Sequence, residues 1–327
     1  MSQPHNPAPD PMPRVPPASP PVSMPRVATP GRPVPMPAVT TPARAPGSGP
    51  AADPISDEQI RDWVDIGVDA VLRAAPIALR HFRTGVTVDD KQSQGTYDPV
   101  TVADRDVETD IRDLLGRALP EHRIVGEEHP DSSGDPRFTW IIDPIDGTRA
   151  FISGLPTWGT LLGLLVDGVA VGGVMHQPFT DETFIADPVR GARLLHHGEE
   201  HRLRTRPVPG GLADAVLYST HPGQLEIAGA TKAFEAIADQ VRLPRWGGDC
   251  YAFAMLAAGQ IDLIIEGDLK AYDIAALIPI IEQAGGVVTD LAGNPPVDGA
   301  QLVVASGDPR LHADAMAILR EELSPHL

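Results

Sequence analysis

Proline decides where this chain can fold. Seventeen of its first 50 residues are proline, scattered among Ala, Ser, Val and Met. Proline has no N–H to give to a helix or a sheet ladder, and the stretch lacks the apolar density to build a core. It also lacks the continuous apolar run of a secretory signal. Residues 1–52 therefore read as a disordered extension of polyproline character. Such a segment serves either as a passive tail or as a docking strip for an SH3-like partner, and translation from a later methionine such as Met36 would shorten it. Folding is expected to begin near Ser56, and what remains is long enough to bury an ample core.

From there the pattern becomes regular. "SDEQ" at 56–59 reads as a capping box. Ile60, Trp63, Val64, Gly67, Val71, Ala74, Ala78 and Phe82 follow at helical spacing, with Pro76 predicting a kink or an early end. A second helix is expected from Val102 to Leu119. "FTWIID" reads as a buried strand, and "GTLLGLLV" and "VAVGGVM" as a hairpin turned at Asp167-Gly168. "TFIA" and "ARLL" read as further antiparallel strands, with His196, His197 and His201 in a surface loop. Beyond about Arg206, "DAVLYST", "DLIIE", "GVVTD" and "QLVVAS" alternate with helices near 224–238, 249–259, 273–284 and 309–322. The expected organisation is an α+β half over 53–205 and an α/β half over 206–327.

Charge and cysteine usage narrow the function classes. A formal net charge of −18 argues against a nucleic-acid backbone or an anionic membrane as partner, because both require basic surface. No apolar run reaches the roughly 20 residues needed to span a bilayer. The single cysteine, Cys250, excludes an intramolecular disulfide and a Cys-cluster metal site, which fits a reducing cytosol. If the substrate is an anion, so acidic a protein needs a polyvalent cation to receive it.

The sequence "WIIDPIDGTRAF" at 140–151 supplies a place for one. Asp143 ends a strand too apolar to lie on the surface, and Asp146 follows across a proline-stiffened turn. Two carboxylates so placed suit a hard divalent cation. Gly147 permits close backbone approach, and its N–H and that of Thr148 can face an anion. For any single acid a cap or a solvated carboxylate is the plainer reading. Further acids nevertheless stand at the ends of other elements, at Asp104, Glu127, Glu128 and Asp273.

"GEEHPD" at 126–131, "WIIDPIDGTRAFISGLPTWG" at 140–159 and "KAYDIAALIPIIEQAGGVVTD" at 270–290 together resemble the inositol monophosphatase superfamily, in the expected order and over essentially Ser56 to the C-terminus. The resemblance implies a layered αβαβα sandwich of the inositol monophosphatase/fructose-bisphosphatase type, a homodimer, lithium sensitivity and two or three Mg²⁺ per site. It implies metal ligation by Glu127, Asp143, the carbonyl of Ile145, Asp146 and Asp273. Asp104 would serve a third, weaker metal and hydrogen-bond Thr148. Tyr272 stands where the family has Trp, a departure in packing that keeps the acid. The amides of Gly147 and Thr148 would hold the phosphate. A water made acidic by a cation, oriented by Thr148 with Glu127 or Asp104, would attack in line without a covalent intermediate.

Within that superfamily "GGDCYAF" and "EGDLKAYD" resemble the histidinol-phosphatase branch. Histidinol phosphate carries an ammonium and an imidazole, to which Asp249 and Glu266 would offer two carboxylates. Asp249 could equally cap the helix it begins. Arg245 is a third candidate substrate contact, and Arg149 faces either the phosphate or solvent. The expected function is thus Mg²⁺-dependent hydrolysis of this small phosphate monoester in the cytoplasm. An inositol-1-monophosphatase or a broad sugar-phosphate phosphatase is the alternative, and a non-catalytic scaffold with a docking tail is a third class. Cys250 reads as a packing thiol. His81, His122, His129 and His176 lack metal-ligand spacing.

Overall fold

The computed structural model describes residues 55–84, 88–90 and 99–324; the proline-rich segment, with its expected disorder, lies outside the described residues. In chain order the elements are α1 (Asp57–His81), β1 (Val88–Asp90), β2 (Pro99–Thr101), α2 (Val102–Ala118), β3 (His122–Gly126), β4 (Asp135–Asp146), α3 (Thr148–Ile152), β5 (Gly159–Val166), β6 (Val169–Gln177), β7 (Glu182–Ala186), β8 (Arg193–His196) and β9 (Glu199–Arg202). After a 3₁₀ turn at Gly211–Asp214 come β10 (Val216–Ser219), α4 (Pro222–Ile227), α5 (Thr231–Ala238), β11 (Leu243–Trp246), α6 (Asp249–Ala257), β12 (Leu263–Lys270), α7 (Ala271–Ile274), α8 (Leu277–Gln283), β13 (Val287–Asp290), β14 (Gly299–Ser306) and α9 (Pro309–Leu323).

Two large sheets form. One runs β3-β4-β5-β6-β7-β8-β9, antiparallel except for the β3–β4 pair; the other runs β11-β10-β12-β14-β13 and is mixed. Both belong to one compact unit, Asp53–Leu327. Side-chain alternation shows how the layers stack. Leu162, Leu164, Val174 and Ile185 face a core shared with α1 and α2. Their neighbours Leu161, Met175 and Phe184 face a second core, shared with α6, α8 and with Ile264, Val303 and Ala305 of the other sheet. The opposite face of that sheet, carrying Leu263, Ile265, Leu302 and Val304, packs on α5 and α9. The order of layers is helix, sheet, helix, sheet, helix, the αβαβα sandwich.

Several local expectations meet a physical correction. α1 runs through Pro76 to His81, because Pro76 and Leu72, whose carbonyl loses its partner, both lie on the solvent face. Water can satisfy that carbonyl, so the helix need not end. The loop expected around His196–His201 is a hairpin: His197 and Gly198 take φ of 50° and 80°, matching Asp167 and Gly168 at the β5–β6 turn. His197 and His201 are exposed there, as expected, while His196 is half-buried. The exposed edge strand β11, "LPRW", was not anticipated.

Two glycines bring the distant acid Asp273 to β4. A Cβ at Gly163 of β5 would stand 2.9 Å from the Ala276 amide nitrogen, and one at Gly173 of β6 would overlap the Ala276 carbonyl. Only bare backbone lets the α7–α8 junction lie on the sheet.

Candidate active site

The two aspartates of "DPIDGT" end β4, and a regular strand would point residues three apart to opposite faces. It does not do so here. Asp143 pairs with Leu161 and Asp146 with Gly159, so three steps of β4 oppose two of β5. The extra residue is a bulge, and it turns both carboxylates to one side. Pro144 has no ladder N–H to lose there. Its carbonyl accepts from Thr160 Oγ1 at 2.8 Å, and the Ile145 N–H donates to Asp143 Oδ1 at 3.1 Å.

Asp273 reaches the same point from the short α7, with Oδ2 held by the Lys270 N–H at 2.7 Å. Carboxylate oxygens of Asp143, Asp146 and Asp273 lie within 4.8 Å of one another. Glu127 follows β3, its N–H donating to Ile142 O at 3.3 Å. Burial first, then the charges of Glu127, Asp146 and Asp273, hold Asp143 well above the usual carboxylate range. Burial and neighbouring acids likewise raise Asp146 and Asp273 to about 7 each. Buried like charges need a positive partner. An all-oxygen set of this kind fits a hard divalent cation.

Asp104 is buried at the start of α2 and raised by burial to about 6. The bond expected between it and Thr148 is replaced by others. Asp104 Oδ2 accepts from the N–H and hydroxyl of Thr101 at 2.9 and 2.6 Å, while Thr148 Oγ1 donates to Ile145 O at 3.1 Å. A capping box makes the first demand on Asp104, since it is the N3 residue behind Thr101. Gly147, at φ 81°, starts α3 and leads directly into Thr148.

The second group of candidates lies where β10 and β12 end. Glu266 is 1% exposed and pushed up to about 8 by burial; Oε1 accepts from Thr220 Oγ1 at 2.8 Å, and Oε2 has no partner among the described residues. The Thr220 hydroxyl also accepts from the Asp249 N–H at 3.2 Å, so it joins the two residues. Asp249 is raised by burial to about 6. The helix-cap alternative for it is not realised: the N-cap is Gly248, and no side chain caps α6. Asp249 instead begins the helix at φ 46°, with Oδ2 accepting from Thr157 Oγ1 at 3.2 Å. Arg245 stands on exposed β11 with its guanidinium 5.9 Å from the Tyr218 ring centre, paired with that ring rather than with either acid.

The backbone role of Cys250 and the part played by Glu108 were not read from the sequence, whereas Tyr272 was expected as a packing residue. Cys250 acts through its backbone, donating to Asp146 Oδ2 at 2.7 Å, while its thiol is buried and pushed far up by burial. Glu108, fully buried on α2, accepts from the N–H groups of Glu128 and His129 at 2.7 and 3.2 Å and so holds the Glu127 loop. Tyr272 packs beside Ile141, Leu165 and Ala275. The contacts of Cys250 and Glu108 have no motif, because each joins residues distant in sequence.

The profile of the inositol monophosphatase family matches residues 59–324. A bifunctional phosphatase of Arabidopsis thaliana, IMPL2, described as chloroplastic, is 36% identical over 277 residues, covering 81% of this chain and 77% of its own. A histidinol-phosphatase of Mycobacterium tuberculosis is 35% identical over 210 residues, covering 64% of this chain and 80% of its own. Among solved structures, an inositol monophosphatase from Zymomonas mobilis superposes with a TM-score of 0.70 at 36% identity, covering 80% of this chain and 98% of that one.

Proposed function

The chain belongs to the inositol monophosphatase family, and from that premise we propose that it is a Mg²⁺-dependent phosphomonoesterase converting L-histidinol phosphate to L-histidinol and phosphate. In this reading Glu127, Asp143, Asp146, Asp273 and the carbonyl of Ile145 hold two Mg²⁺, with Asp104 beside a weaker third. When bound, the cations supply Lewis-acid polarisation of the ester, a more acidic water and charge stabilisation for the departing oxygen.

The chain's own residues do the rest. The N–H groups of Gly147 and Thr148 hold the phosphate. The Thr148 hydroxyl, already fixed against Ile145 O, orients the water with Glu127 or Asp104. Attack is in line and no protein nucleophile takes part; the buried, high-pKa thiol of Cys250 supports that.

The observation that carries the choice of alcohol is the pair Asp249 and Glu266, joined through Thr220 beside the acid cluster. Two carboxyl groups suit an alcohol bearing an ammonium and an imidazole, and the similarity to a histidinol-phosphatase agrees with it. The test compares kcat/KM for histidinol phosphate and inositol 1-phosphate with Mg²⁺, in the wild type and in Asp249→Ala. The variant is expected to lose about 10- to 100-fold on histidinol phosphate, the worth of a charge-assisted hydrogen bond, and much less on inositol 1-phosphate. Equal losses on the two esters sink the assignment.

A second reading, an inositol-1-monophosphatase or broad sugar-phosphate phosphatase, draws on the burial that raises Glu266 to about 8. A protonated Glu266 donates to a neutral hydroxyl without needing a cation. The likeness to an inositol monophosphatase structure favours it also, and the same assay decides between the two. A homodimer in the cytosol, with no nucleic-acid or membrane partner, completes the proposal. No described helix is long and apolar enough to cross a membrane.

A further inference from the structure

Asp249 is gripped by a residue that the substrate reading leaves unused. Thr157 lies between α3 and β5, 92 positions from Asp249. Its hydroxyl donates to Asp249 Oδ2 at 3.2 Å, and its carbonyl faces Cys250 Sγ at 4.0 Å. One residue therefore holds the start of α6 by both side chain and backbone.

The surroundings give that contact its consequence. Asp249 follows Gly247 and Gly248, at φ 80° and 158°, and is itself left-handed at 46°. Glycines do little to fix the side chain that follows them. On one side the turn at Gly147 comes so close that a Cβ there would stand 2.9 Å from Asp249 Cβ and Cγ. On the other, Thr220 receives the Asp249 N–H and donates to Glu266. A carboxylate still swings about its Cβ–Cγ bond unless one oxygen is tied. Thr157 ties Oδ2, which fixes the plane of the group and the heading of its other oxygen. Glu266 shows the same arrangement: Thr220 holds Oε1, and buried Oε2 is left without a partner among the described residues. Buried acceptors rarely stay unpaired, so that oxygen marks the side from which a donor arrives.

We propose that Thr157 is a specificity-determining positioning residue: through Asp249 it aims one carboxylate at a cationic nitrogen of the departing alcohol. This rests on the reading of the substrate as an alcohol that bears a cationic nitrogen. The hydrogen-bonding contacts of Thr157 go to Asp249 and Cys250 and not to Asp143, Asp146 or Asp273, so it should govern which alcohol is accepted and not how fast the ester is cleaved.

Thr157→Val preserves shape and removes the donor; Thr157→Ser restores the donor. Kinetics with Mg²⁺ on histidinol phosphate and inositol 1-phosphate, with calorimetry of L-histidinol binding, are compared in wild-type and Asp249→Ala backgrounds. Thr157→Val is expected to raise KM for histidinol phosphate about tenfold, as loss of a hydrogen bond to a charged group does, with kcat and the inositol ester changing less than about twofold. L-Histidinol binding should weaken in parallel, and Thr157→Ser should recover both. With Asp249→Ala already present, Thr157→Val should add nothing, because the two act as one unit. Equal loss on both esters, no loss, or an undiminished effect without Asp249 overturns the proposal alone. A wild-type enzyme indifferent to the charge of the alcohol overturns the substrate reading and this proposal with it.

Discussion

At the scale of single residues, the site depends on places where the backbone departs from regularity. Asp143 and Asp146 converge only because β4 is bulged around Pro144 and Ile145. Gly147 then turns at φ 81°, with Asp249 on one side and the Trp158 Cα 3.2 Å from where a Cβ would sit on the other. Alanine at 147 would meet two penalties, about 1–2 kcal/mol of left-handed strain and a collision with Asp249. Yielding by either partner moves the amides assigned to the phosphate, and a displacement near 1 Å can cost about a hundredfold in rate. Gly147→Ala should therefore retain its fold by circular dichroism and lose about a hundredfold in kcat. A kcat near the wild-type value would show that these amides do not hold the phosphate. The acids and the Gly-Thr step were legible in "DPIDGT" because short-range chemistry writes them. That Asp143 and Asp146 point to one spot was legible in the proline-stiffened turn between them; the bulge of β4 that achieves it was not, since regular period-2 geometry predicts the reverse. The Thr157–Asp249 contact was beyond reach for another reason: it spans 92 residues and belongs to no local pattern.

Secondary-structure elements carry a second kind of control. The loop after β3, which bears Glu127, is anchored on α2 by Glu108. Besides the two loop amides, Glu108 Oε1 accepts from Arg112 Nε at 2.6 Å, and Arg112 Nη2 donates to His129 O at 3.1 Å. Gly126 passes so near that a Cβ there would overlap the Glu108 carboxylate. Glu108→Gln would point an NH₂ group at donors and leave Arg112 without its buried counter-charge. Breaking one half of a buried pair costs about 3–5 kcal/mol, or roughly 5–15 °C in Tm for a domain of this size. A loosened loop should also raise the Mg²⁺ concentration for half-maximal thermal stabilisation; thermal melts across a Mg²⁺ series measure both. An unchanged Mg²⁺ dependence would confine Glu108 to stability. Elements with strong periodicity or turn chemistry, such as α1 and the Asp167-Gly168 hairpin, could be read directly. β11 could not: "LPRW" is short, holds a proline and lies exposed at an edge, so neither alternation nor apolarity announces it. The His197-Gly198 hairpin escaped because its strand β9, "EEHR", is wholly exposed and thus has no buried face to read.

For the whole molecule, the layered fold buries a group of acids that repel one another, in a chain already at −18. Asp146 and Asp273 are raised to about 7, and Asp143 is held well above the usual carboxylate range, mainly by burial. A carboxyl whose folded pKa exceeds its unfolded value near 4 binds protons more tightly when folded. Its contribution to metal-free stability is therefore fully present below about pH 4 and is lost as pH rises through about 7. A divalent cation needs those same groups deprotonated, so its stabilisation should grow over the same window. The two trends oppose each other and predict a crossover in behaviour. Without metal, Tm should fall between pH 5 and 8. With Mg²⁺ at about a hundred times its Kd, stabilisation near pH 8 should approach 2.7 kcal/mol, some 5–10 °C, and shrink towards pH 5. Asp146→Asn separates this from general pH effects, because it removes one repelling charge and one proposed ligand together. That variant should melt higher than wild type at pH 8 without metal and respond little to Mg²⁺. It should also lose most phosphatase turnover. Differential scanning fluorimetry at pH 5, 6.5 and 8, with EDTA or Mg²⁺, gives all of the melting values. A wild-type protein equally stabilised by Mg²⁺ at pH 5 and 8 would contradict the assignment of these buried acids to the cation.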